Sequence, residues 1–313
     1  MRKTGTGTLG LIVAFAFVVQ VSSAFGSSNY KCKNPACDIN AIGHRNLSNG
    51  HGVGNWYSSE KQKELGKKYA SALEQRVDVV KDPAITGYVD QVAQRVAHNS
   101  DADMPITVRI IRSDGAGAFT LFGGHLYVTT GLLMKLQSEG ELASVLARGI
   151  AHTAMQSVAR LQTRAALLQA ADMPMIGLDN SPPDPAARFV SVPFGVLKFQ
   201  RDFELEADYF GIQYVYKSGY DPNCFLDAVQ AIWRPEASGT LGKAFSPFPP
   251  VVERLKMLQQ EIDDILPRQA EASVSTSDFE EFLARLRQIA PPASPPRKDA
   301  LPKLIRHDDG TND

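Results

Sequence analysis

Leu142, Val145, Leu146 and Gly149 recur three and four residues apart in the stretch ELASVLARGIAHTAMQS, residues 141 to 157. That spacing is the buried face of an amphipathic helix, and Ser138 followed by Glu141 marks its start as a capping box. The same pattern predicts a helix opening at Ser59, with Gln62 in the capping-box position, and running toward Val80. Asp82-Pro83 opens another, with Ile85, Val89, Val92 and Val96 on one face. A further helix runs from about Asp202 to Ser218, stopped by Gly219 with Pro222 just beyond. Pro250 begins one with Val251, Leu255, Leu258 and Ile262 on a stripe, and Asp278 caps a short one carrying Phe279, Phe282, Leu283 and Leu286. Ile106 to Arg112, and His125 to Thr129 after Gly123-Gly124, are strand candidates rich in β-branched residues. Residues 170 to 200 show no clear period.

Composition adds little to the fold and something to the location. With 43% hydrophobic and 21% charged residues the chain is ordinary for a globular protein. A formal net charge of −1, with no basic block, argues against nucleic acid as a partner. Arg2 and Lys3, the apolar run Leu9 to Val21 and the small residues Ser22-Ser23-Ala24 have the layout of a secretory signal peptide over residues 1–24. The run is short and broken by Gln20, so export is expected rather than a membrane span, with peripheral membrane association left open. Export permits disulfides; Cys32 and Cys37 enclose a short loop and can pair, leaving Cys224 as a buried thiol in a helical pattern. The expected organisation is a signal segment (1–24), a loosely structured lead-in (25–57), a main domain (58–265), a C-terminal helix (266–290) and a Pro-rich disordered tail (291–313).

The helix at 141–157 also has the frame of a zinc-protease motif, H-E-x-x-H. Such a motif sets two histidines one turn apart on one metal, with a glutamate between them as general base and a third ligand from a later helix. Here the frame spells Arg148-Gly149-Ile150-Ala151-His152. Glu204 and Asp208, four apart in RDFELEADYFG, share a face of a later helix.

Four blocks in order extend the likeness from about Glu60 to Ile265: AFTLFGGHLYVTTGLL (118–133), ELASVLARGIAH (141–152), ELEADYFG with SGYDP (204–222), and FPPVVERL (248–255). Together they resemble the HtpX-like and BepA-like zinc metallopeptidases, relatives of the CAAX prenyl protease. The resemblance implies an α+β, mostly helical metallopeptidase domain with a small sheet next to the active-site helix. Carried over by position, Arg148 stands where the first metal-binding His belongs, Gly149 where the general-base Glu belongs, and Phe248 where the family has another His. His152 and Glu204 fill the remaining ligand positions, and Asp208 that of a supporting carboxylate. Gly117 replaces a customary Asn, and Gln156-Ser157 a customary Arg-His. Gly123, Gly124 and His125 correspond to the edge of the substrate cleft, on the strand that in active relatives pairs with substrate; His125 is a possible compensating ligand or an ordinary exposed strand histidine.

An arginine keeps its proton at working pH and cannot replace a ligand. Losing the base alone costs ~10²–10⁴-fold in rate, and losing the metal removes water activation as well. Bare Glu204 and Asp208 facing an empty pocket would be costly, so an Arg148–Glu204 ion pair is expected. The resulting expectation is an inactive pseudopeptidase of the periplasm or cell envelope that binds a protein client or partner in the former cleft, with no cofactor. The alternatives are a working zinc endopeptidase with a non-standard site, and a structural assembly subunit.

Overall fold

The computed structural model describes residues 38–48, 54–170, 175–177, 191–193, 197–232 and 249–290. The signal segment, the Cys32–Cys37 pair, Phe248 and the tail 291–313 lie outside the described residues. The elements in chain order are α1 (Ser59–Glu74), α2 (Pro83–His98), β1 (Thr107–Ile111), β2 (Ala118–Thr120), β3 (His125–Thr129), α3 (Thr130–Leu133), α4 (Glu139–Ala154) and α5 (Ser157–Ala170). A short antiparallel pair, β4 (Met175–Gly177) and β5 (Ser191–Pro193), precedes α6 (Leu197–Lys217), α7 (Asn223–Ile232), α8 (Val251–Asp264) and α9 (Ser277–Ile289). This is the expected α+β, mostly helical architecture. Among the described residues no helix is long and apolar enough to cross a membrane.

Local chemistry sets the helix starts. Asp82 accepts from the backbone N–H of Ala84 and Ile85, with Pro83 at the first helical position of α2. Ser138 Oγ accepts from Glu141 N at 3.1 Å, while the Glu141 carboxylate takes Gln137 N at 3.1 Å rather than that of Ser138. α1 starts one residue earlier than the pattern suggests: Ser58 is the cap, bonded to Lys61 N at 3.2 Å. That shift frees Gln62 for other partners. α1 stops at Glu74, short of Val80, because Val79 bridges Ile111 and Val80 N bonds Ile110 O, drawing this segment alongside β1. At α9 the cap is Thr276, without a side-chain bond, and Asp278 lies inside the helix.

The sheet order is β1-β3-β2, with β1 parallel and β2 antiparallel to β3. His125 therefore sits on the middle strand of the sheet. β3 uses both sides of its backbone within the sheet, and among the described residues the open edge next to it belongs to β2.

α4 runs through the centre of the described domain. Leu142, Leu146, Ala147, Ile150 and Ala151 are all 0% exposed, and α2, α6, α7 and the sheet pack around it. An apolar stripe predicts one buried face; here nearly the whole helix is buried, Glu139 and Arg148 included. α9 adds Phe279, Phe282, Leu283 and Leu286 to the same core, with Phe282 stacked on Tyr88 at 4.8 Å. Part of the lead-in is docked rather than loose. Arg45 is buried, 2.6 Å from Asp101, and donates to Gln213 at 2.7 Å; Tyr214 donates to Asp101, and Gln213 to Glu261.

Candidate functional site: a charge lattice between three helices

α6 packs against both α4 and α7 at Gly211, where the missing side chain makes room for Phe225 of α7. A Cβ there would lie 2.8 Å from the Phe225 ring and 3.4 Å from the Arg148 Cα. This contact brings the residues singled out by sequence together. Arg148 and His152, one turn apart on α4, face Glu204 and Asp208, one turn apart on α6.

Arg148 fills the space between them. Its Nη2 meets Glu204 Oε2, and its Nε lies 3.2 Å from Asp208 Oδ1. The expected Arg148–Glu204 ion pair is present. His152 Nε2 is 3.8 Å from Glu204 Oε1, beyond hydrogen-bond reach. Arg254 of α8, in the FPPVVERL block, joins them, although nothing in the sequence marks it as part of the site. It is 0% exposed and donates to Asp208 through Nε at 2.5 Å and Nη2 at 2.8 Å. Two guanidiniums thus face two carboxylates, a neutral set. Burial, with both guanidiniums close by, holds His152 well below the usual histidine range, so its imidazole is neutral. Burial also lowers Arg148, to about 10, against the opposing pull of Asp208, so it stays protonated at neutral pH.

These residues do not fit a zinc ion. A catalytic zinc takes three protein ligands and keeps a position for water. Here the third place is taken by a guanidinium, which carries five N–H donors and no lone pair to give a metal. Among the described residues no three His, Cys, Asp or Glu side chains are grouped to hold a metal ion. The base position is closed as well: a Cβ on Gly149 would come within 2.8 Å of Leu126 Cδ2 and 3.2 Å of Thr120 Oγ1.

The other singled-out residues are placed apart from the lattice. His125 is half-buried, with Nδ1 2.9 Å from Thr107 Oγ1, and burial lowers its pKa. Gly123 and Gly124 form a turn at φ 71° and 83°, where only glycine is unstrained. They line a small cavity that His152 also lines. Cys224 is buried, and burial pushes its thiol up to about 11.

A helix pair presenting His152 on one side and Glu204 and Asp208 on the other is the frame of a metallopeptidase domain. Residues 83–262 match the family model for peptidase family M48, more than half the chain, and the chain belongs to that family. A Vibrio cholerae protein assigned to the beta-barrel assembly-enhancing proteases is 32% identical over 168 residues, covering 50% of this chain and 35% of that protein. The beta-barrel assembly-enhancing protease of Escherichia coli K12 is 28% identical over 183 residues, 55% of this chain and 38% of the relative. Mitochondrial metalloendopeptidase OMA1 of Schizosaccharomyces pombe is 31% identical over 198 residues, 62% and 56%. The chain thus spans between about a third and just over half the length of these relatives.

Proposed function

We propose that this chain is a non-hydrolytic member of its family, exported to the cell envelope, where it binds protein clients or partners instead of cutting them. One observation carries the proposal. Arg148 occupies the position of a metal ligand and is ion-paired inside the site to the carboxylate that would be another. A built-in cation replaces a bound one, and Gly149 leaves no base to take a proton from water. The names of its relatives point to assistance with β-barrel assembly, and the family resemblance to protein quality control in the envelope, with the client lying extended against the former cleft. Among the described residues the free edge there is β2, whose Phe119 is 42% exposed and stacks on Tyr127 at 5.1 Å.

Casein cleavage tests the proposal against the alternative of a working metalloendopeptidase. The chain is expected to leave unfolded casein intact with added zinc or with chelator alike. Cleavage that chelator abolishes and Glu204→Gln abolishes too would overturn the proposal.

A further inference from the structure

Beside His152, between α1, the end of α4 and the β2–β3 turn, lies a cavity of about 10 Å³, room for roughly one water molecule. Gln62, Thr120, Phe122, Gly123, Thr153 and Gln156 line it with His152. No client side chain fits until a wall moves. The α4 wall and the sheet wall belong to the packed core. The remaining wall, where α1 packs on the turn before β3 at Gly66 and Tyr69 stacks on Phe122, is tied further by three residues that precede α1.

Asn55 Nδ2 donates to Gln156 Oε1 at 2.6 Å, and Gln62 Nε2 donates to the same oxygen at 2.9 Å. Gln62 Nε2 also donates to the Tyr57 carbonyl at 3.0 Å, and the Tyr57 ring lies 5.4 Å from that of Phe122. Trp56 N donates to Thr163 Oγ1 on α5 at 3.1 Å, while its indole is 60% exposed. Three cavity-lining residues, Gln62, Phe122 and Gln156, are thus held by Asn55 and Tyr57. Gln156 is also, among the described residues, the single non-glycine with positive φ, at 52°. An L-residue there is strained and persists only where its surroundings hold it.

We propose that residues 55–57 form a releasable strap which, tied to Gln156 and Gln62, keeps the hollow beside His152 too narrow for a side chain and so governs entry to the former active-site cleft. This inference rests on the reading that the cleft receives clients. The ties suit release: the side-chain ties to Gln156 and Gln62 are neutral amide hydrogen bonds without an ion pair among them, and letting go allows Gln156 to relax.

The test is the rate at which diethyl pyrocarbonate modifies His152 in the full chain, read by peptide mass spectrometry. Chelator is present throughout, so the readout is independent of whether the cleft takes a client or a metal. Asn55→Ala is expected to raise the rate about fivefold, the factor by which losing one neutral hydrogen bond shifts an opening equilibrium. Gln156→Gly, which removes both bonds and accepts positive φ without strain, is expected to raise it at least as much. Labelling of buried Cys224 is expected to stay unchanged in both. An unchanged His152 rate in both variants would overturn the proposal, as would a rise matched by equal exposure of Cys224.

Discussion

Replacing Arg148 by methionine keeps most of the side-chain length and removes the charge. In the native protein its guanidinium lies against Glu204 and 3.2 Å from Asp208. Asp208 keeps both bonds from Arg254 in the variant, so the loss falls on Glu204, a carboxylate 8% exposed whose other close neighbour is the neutral His152. Removing one partner of a buried ion pair costs about 3–5 kcal/mol, mostly from the charge left behind. At about 2–4 °C per kcal/mol for a domain of this size, Tm should fall by roughly 6–20 °C. Replacing both partners by apolar residues is often neutral, so Arg148→Met with Glu204→Leu should recover most of the loss. A cycle of the two single variants and the double, followed by urea unfolding and circular dichroism, should give a coupling of about 2 kcal/mol or more. A single-variant loss below about 1 kcal/mol, or a double variant that loses the sum of the singles, would refute the idea that Arg148 stands in for a cation.

Three further outcomes are expected. Gly149→Ala should cost about 1–3 kcal/mol by overpacking, since Leu126 and Thr120 occupy the place of the new methyl group; a stability unchanged in urea titration would show that the sheet yields freely. Arg45→Met should cost about 3 kcal/mol or more by stranding Asp101 in the core, with faster hydrogen exchange over residues 38–48 as its local sign. Burial pushes Glu261 up to about 7, above its unfolded value, so the folded state holds a proton that the unfolded state has lost. That contribution is complete below the unfolded pKa and disappears as pH rises through about 7. Stability should therefore decline between about pH 5 and pH 7.5, and Glu261→Gln should flatten this part of the profile.

The helices were legible wherever an apolar stripe met a cap, as at Ser138, Asp82-Pro83 and Gly219. Where packing overrides the local pattern they were not. The break between α4 and α5 falls at Gln156, with neither Gly nor Pro to announce it, because side-chain bonds from Asn55 and Gln62 hold that turn. The centrality of α4 was hidden as well, since an amphipathic stripe says nothing about what covers the other face. Strand order was hidden because β1 and β3 pair directly in parallel although β2 lies between them in the sequence, which puts His125 in the middle of the sheet. At the site, the frame order alone placed Arg148, His152, Glu204 and Asp208 together. Arg254 was missed because an arginine in an amphipathic helix ordinarily faces solvent, and only the fold shows it fully buried on Asp208. Nothing in the sequence marks residues 38–48 as docked because Gly and Asn dominate the lead-in, while Arg45, Ile42 and the Gly43 backbone anchor them.

If a guanidinium has taken the metal's place, the purified chain holds little zinc. Protein expressed with zinc available and mildly dialysed is examined by elemental analysis, alongside His152→Ala. Well under one zinc per chain is expected, the same in both proteins. Close to one zinc per chain, disappearing in His152→Ala, would contradict that replacement of the metal.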